Sequence, residues 1–134
     1  MWSTESSIDI AAPVEAVWSV LTDVERWPVW NGDIARIALA GPFAAGTTIA
    51  MTVQDGDTIV LRLADVVDGV RFVDEATVAD TVIRTAHVVT RLDEQRSRVL
   101  YRLEADGPAA AQIGPAVSAD FPETLEGLRD FVER

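Results

Sequence analysis

From residue 33 to residue 106 the chain alternates apolar and polar side chains, interrupted only by short turn signals, and helical spacing flanks this stretch on both sides. Such a pattern requires a sheet made in one continuous run, with little besides the flanking helices to cover it. IARIALA (34–40) ends at Gly41-Pro42, and TTIAMTVQ (47–54) and DTIVLRLADVV (57–67) flank Asp55-Gly56, a hairpin dipeptide. VRFVDEATV (70–78) follows Gly69, and TVIRTAHVVTRL (81–92) and RVLYRLEA (98–105) flank the polar run DEQRS. With a first strand inside STESSIDI (3–10), about seven strands joined by short turns are expected, hence a mostly antiparallel sheet.

The helices follow from spacing. After the first strand, Pro13 suits a helix start, and Val14, Val17, Trp18 and Leu21 fall on one apolar face. ERWPVWN (25–31) reads as a second short helix that Pro28 brings to an end. Trp27 is then expected in the core, and Trp30 on the lining of a cavity mouth. Beyond Gly107-Pro108, Ile113, Val117, Phe121, Leu125, Leu128 and Val132 recur every three or four residues, the face of one long amphipathic helix. Pro115 and Pro122 interrupt it, and Asp120 with Glu123 forms a capping-box pair that predicts a restart or kink near Phe121. The fold class is therefore α+β, a single domain over 1–134. A curved sheet closes around a long C-terminal helix, and two short helices after the first strand plug one end. A helix about 10 Å across cannot cover so wide a sheet, and strands rich in Val, Ala, Thr and Leu fill little of the remaining space, so a cavity is expected.

Composition removes several classes of function. The net charge of −11 argues against binding a phosphate backbone. All 11 cations are arginine, which leaves no lysine for a Schiff base or a phosphate loop. One histidine and no cysteine exclude a multi-histidine or thiolate metal site, and no cofactor or metal is expected. The N-terminus lacks a basic region followed by an apolar stretch, and no apolar run approaches the roughly 18 residues of a membrane helix. A cytoplasmic protein without membrane insertion is the expectation, and the pattern fits a monomer and a homodimer equally.

The order β-α-α-β6-α and the series Ala12, Pro13, Val17, Trp18, Leu21, Asp23, Trp27, Pro28, Trp30 and Asn31 resemble the START-like helix-grip proteins, in particular the polyketide cyclase/dehydrase-like group of the SRPBCC superfamily. GPFAAGT (41–47) resembles the segment preceding the third strand in that group, and DFPETLEGLRDFVER its gripping helix. The resemblance covers essentially the whole chain. It implies binding of a small hydrophobic or amphipathic molecule, such as a lipid or polyketide-like compound, between sheet and helix. It also leaves open a cyclase or dehydratase acting without a cofactor on a bound poly-carbonyl chain. An interaction protein presenting its sheet edge or helix to a partner is a third possibility.

Candidate chemistry rests on few residues. His87, the only histidine, shares a strand face with Ile83, Thr85 and Val89, a set without charge that is expected inward. It is either an acid/base group or a hydrogen-bonded sheet residue. Tyr101, the only tyrosine, alternates with Arg98, Arg102 and Glu104 and is also expected inward, as a ligand donor or as a satisfied core hydroxyl. Asp74 shares a face with Phe72 and is either a base in an apolar cavity or a solvated rim carboxylate. His87, Tyr101 and Asp74 are the catalytic candidates. The ligand-lining candidates are Trp30, Met51, Phe72 and Val89 from the body of the fold, His87 and Tyr101 again, and Val117 and Phe121 from the helix. Arg62, Arg84 and Arg102 are expected to form an exposed ladder with acidic neighbours.

Overall fold

The computed structural model describes residues 1–134. Strand β1 (Trp2–Ile10) is followed by α1 (Val14–Leu21), a 3-10 turn (Val24–Arg26) and the four-residue α2 (Trp27–Trp30). Six strands come next: β2 (Ile34–Leu39), β3 (Thr48–Val53), β4 (Thr58–Val67), β5 (Arg71–Val78), β6 (Thr81–Asp93) and β7 (Arg96–Asp106). Helices α3 (Ala110–Ser118) and α4 (Phe121–Val132) complete the chain. All neighbours in the seven-stranded sheet are antiparallel, in the order β1-β7-β6-β5-β4-β3-β2. Only the β1–β7 pair is distant in sequence, so β1 must wait for the rest of the sheet before it can join.

Alternation along the strands sets what faces the helices. Thr81, Ile83, Thr85, His87 and Val89 of β6 are buried, as are Ser97, Val99, Tyr101, Leu103 and Ala105 of β7. The other face is solvated. There Arg62 and Arg84 both pair with Glu75, and Arg102 reaches Glu5, which makes the expected arginine ladder. These exposed pairs add little stability, but they keep one face of the sheet wet and so set the direction of burial.

Prolines shape both helical regions, Pro28 contrary to the sequence reading and Pro122 in line with the restart expected near Phe121. Pro28 lies in the first turn of α2, where its missing N–H is harmless, so it opens that helix instead of ending it. The C-terminal helix is bent into α3 and α4. Pro115 is held within α3, whereas Pro122 cannot donate to the carbonyl of Ser118, the last residue of α3, and the break falls between them. The capping box is not made: Asp120 occupies the N-cap of α4, but its side chain caps no backbone N–H.

Two glycines let the helices come close. The Trp2 ring occupies the space a side chain at Gly114 would need, which seats α3 on β1. A Cβ at Gly127 would run into the backbone carbonyl of Trp30, so α4 lies directly on α2. Gly127→Ala should gain about 1 kcal/mol in helix propensity. It should nevertheless destabilise the protein by about 1–3 kcal/mol, because a backbone carbonyl has no rotamer by which to move aside. Urea denaturation checks this; an unchanged or raised midpoint would show that α4 does not need this approach.

Candidate functional site

The sheet register brings the candidate residues together. Phe72 pairs with His87 and His87 with Tyr101, so the three form one cross-strand row over β5, β6 and β7. Their rings are in contact: Phe72 stacks on His87 at 4.0 Å between centroids, and His87 meets Tyr101 edge-on at 4.5 Å. Phe121 at the start of α4 continues the row, 5.5 Å from Tyr101. Asp74, two residues along β5 from Phe72, points to the same side and meets His87 diagonally, Oδ2 to Nε2 at 3.9 Å. Asp74, His87 and Tyr101 are 6%, 7% and 4% exposed.

These groups line a cavity of about 450 Å³ between the sheet, α2 and the α3–α4 bend. Trp30, Met51, His87, Tyr101, Val117 and Phe121 line it as expected from the sequence, and Asp74 faces it from the sheet, not from a solvated rim. Phe72 and Val89 do not line it. Phe72 is fully buried beneath Trp18, Trp27, Phe43 and His87, and Val89 is buried in the core cluster. Their faces were read correctly, but neighbouring side chains cover them. Trp27 stacks on Phe72 and donates Nε1–H to the Leu21 carbonyl at 2.9 Å, yet it also contributes to the cavity wall. Trp27 is thus core and Trp30 lining, as expected, but both rings also stand at the boundary between core and cavity. Trp30 Nε1–H is buried without a hydrogen-bond partner.

Sequence reasoning missed Thr85, Asp33 and Asp120 as lining residues. Thr85 was legible on the inward set of β6. Asp120 was legible only as a helix cap, a local role that the carboxylate gives up for an interaction with Asp33.

Burial controls the protonation of the site. It raises Asp74 from its ordinary value to about 7, with no cation beside it to compensate. Burial lowers His87 to about 3, opposed by backbone hydrogen bonding with Phe72 and Thr85, so the imidazole is neutral near pH 7. The Nδ1 to Phe72 carbonyl distance is 3.4 Å; with the proton on Nδ1, the Nε2 lone pair is turned toward Asp74. The Tyr101 hydroxyl is raised by burial and then by Asp74 and Asp120, so it remains a donor. Burial, followed by the hydrogen bond with Asp33, brings Asp120 to about 6. No group of three or more potential metal ligands comes together.

The family model "Polyketide cyclase / dehydrase and lipid transport" matches residues 1–133. The chain belongs to this family. A Streptomyces cyaneus protein named "Putative polyketide cyclase" is 37% identical over 51 residues, covering 38% of this chain and 34% of that one, so the match spans about a third of that relative. Among solved structures, a START superfamily protein of Mycobacterium smegmatis superposes with a TM-score of 0.78 at 15% identity, covering 98% and 97% of the two chains. The di-domain ARO/CYC BexL of the BE-7585A biosynthetic pathway gives 0.82 at 17% identity, covering 99% of this chain and 47% of that one. Norcoclaurine synthase of Thalictrum flavum, in complex with dopamine and hydroxybenzaldehyde, gives 0.76 at 12% identity, covering 98% and 86%. At these identities the likeness is one of fold, the START-like helix grip. Family and fold point to a START/polyketide cyclase-like protein, and no helix is long and apolar enough to cross a membrane.

The two buried titratable groups pull stability in opposite directions. Asp74 is raised, so the stability associated with it is full below about pH 4 and is lost as pH rises toward 7. His87 is lowered, so its stability is full above about pH 6.5 and is lost as pH falls toward 3. Asp74→Asn removes only the first effect. Relative to the parent, the variant should gain stability as pH rises from about 4 to about 8, by at most about 4 kcal/mol. Denaturant titrations of both proteins at the two pH values test this. A difference independent of pH would mean that Asp74 ionises freely in the folded protein.

Proposed function

We propose that the protein takes up a small, mainly apolar molecule in the cavity between the sheet and the C-terminal helix. The observation that carries this reading is the combination of a cavity of about 450 Å³, walled by tryptophan and aliphatic side chains, with a few buried polar groups gathered at one place. A close-packed interior excludes voids of that size, and a site that binds a small molecule typically has this mixture of lining groups. Met51, Ile59, Leu61 and Phe121 provide the apolar contact surface. Tyr101 offers a hydroxyl donor, and Trp30 an indole N–H that has no partner within the protein.

A second reading, catalysis on a bound carbonyl compound, is favoured by the proximity of Asp74, His87 and Tyr101. A carboxylate near pKa 7 is suited to removing a proton from carbon next to a carbonyl at neutral pH. The C–H electron pair would move into an enolate whose oxygen accepts a hydrogen bond from Tyr101. Attack of the enolate carbon on a second carbonyl of the same chain would close a ring, and loss of water would complete a dehydration. The relative named as a polyketide cyclase and the ARO/CYC structure make poly-carbonyl chains the natural substrates to try.

Titration with N-phenylnaphthylamine, a neutral apolar probe, should quench tryptophan fluorescence through Trp27 and Trp30, and Trp30→Phe should remove part of the quenching. His87→Ala should fold and weaken probe binding about tenfold. No quenching by this probe or by simple alkanols would overturn the uptake reading, and a His87→Ala protein that cannot fold would reduce His87 to a structural residue. For the catalytic reading, a short poly-β-carbonyl thioester should be converted to a ring lacking one water, detected by mass, and Asp74→Asn should abolish the conversion.

A further inference from the structure

The charges around the cavity are distributed unevenly. Asp33, Asp55, Asp74 and Asp120 line it, and none of the 11 arginines does. Arg62, Arg71, Arg84, Arg98 and Arg102 of the sheet are instead exposed and committed to Glu75, Asp65, Asp9 and Glu5. The one remaining basic group in the lining, His87, is kept neutral by burial. The Asp74 side chain makes no hydrogen bond and comes only to 3.9 Å from His87 Nε2, although it is only 9% exposed and faces the cavity. Asp120 lines the cavity from the α3–α4 bend, and the negative charge of Asp74 and Asp120 adds to burial in keeping the Tyr101 hydroxyl protonated. Aromatic faces of Trp27, Trp30, Tyr101 and Phe121 complete the surroundings.

We infer that the cavity selects an amphipathic amine, whose ammonium group is received by Asp74 and Asp120 while its apolar body fills the remaining space. The inference rests on the reading of the cavity as a ligand site and adds the ligand's charge. The Asp74 carboxyl has no hydrogen-bond partner within the protein, and an ammonium group offers it both donors and the opposite charge once it ionises. Aromatic faces attract the same cation through their ring quadrupoles. A ligand carboxylate or phosphate would enter a site of like charge with no arginine to receive it. The groups facing Asp74 are His87 and Thr85 from β6, Tyr101 from β7 and Asp120 from the α3–α4 bend, none of which is a cation at neutral pH. Amine binding therefore releases a proton from whichever of the two carboxyl groups is protonated, and affinity rises with pH from about 5 to about 8.

The test compares decylamine, decanol and decanoate, alike in chain and different in head group, by isothermal titration calorimetry on the whole chain. At about pH 8 decylamine should bind at least about tenfold tighter than decanol, and decanoate weakest. Asp74→Asn should bring decylamine to within about threefold of decanol while leaving decanol unchanged. Asp120→Asn, at a less buried position, should reduce the preference in the same direction, and Asp106→Asn on the outer end of β7 should leave it intact. The amine preference should shrink at about pH 5. Decanol or decanoate binding as tightly as decylamine would overturn the charge selection and leave the cavity reading standing. A preference that survives both cavity variants and disappears in high salt would assign it to the surface charge and also overturn the inference. Binding of none of the three would overturn the cavity reading itself.

Discussion

The contact row from Phe72 through His87 and Tyr101 to Phe121 joins the sheet to the helix it grips, and both core and cavity depend on it. Phe72 at one end is fully buried and also touches Trp18, Trp27 and Phe43, so it gathers α1, α2 and the β2–β3 connection around β5. Phe121 at the other end belongs to α4. Between them lie the two side chains with chemistry to offer, His87 and Tyr101. Packing on both sides restricts their rotamers, so the polar atoms at the cavity are held by the same contacts that stabilise the fold.

This arrangement explains why the site is dry at its base and open above. Phe72 stacks on one face of His87 and thereby keeps water from the imidazole, which is the cause of its neutrality. Asp74, two residues farther along the same strand, is also buried but faces the cavity. Two residues on one face of β5 thus have opposite roles: Phe72 closes the core and Asp74 begins the site. The bend at Pro122 matters in the same way. Asp120 stands at the break between α3 and α4, where its carboxylate meets Asp33 across the cavity rim.

Much of this could be read from the sequence because strand alternation reports directly on faces. The inward set of Thr85, His87 and Val89 and the inward position of Tyr101 follow from counting by two, and the β6–β7 pairing then aligned His87 with Tyr101. What counting cannot give is depth. Val89 and His87 share a face and strand, but one lies under other side chains and the other at the cavity, because helices α1 and α2 cover only part of the sheet. Pro28 was misjudged for a related reason: a proline says that a helix cannot continue through it from before, but not whether a new one starts there, whereas at Pro122 the restart expected near Phe121 is where α4 begins. The capping pair of Asp120 and Glu123 is a local preference worth about 1 kcal/mol, small enough for a neighbouring carboxylate and a cavity to override it.

The separation of charge between the two faces of the sheet has a further consequence for specificity. A chain with a net charge of −11 could attract cations anywhere on its surface, but surface attraction is screened within about 10 Å by ordinary salt. Inside the cavity the screening is weaker and each carboxylate counts for more. The same low polarity also protonates Asp74 when the cavity holds no cation, so that the empty site need not hold a bare charge. A neutral apolar molecule can then enter without opposing a full negative charge, while a cation finds a carboxyl group that can ionise to meet it. An anion would find only the Tyr101 hydroxyl and the Trp30 indole N–H as donors and no cationic side chain. The absence of arginine from the lining therefore constrains the ligand more than the apolar wall does, since the wall accepts any molecule of suitable size and the carboxylates do not.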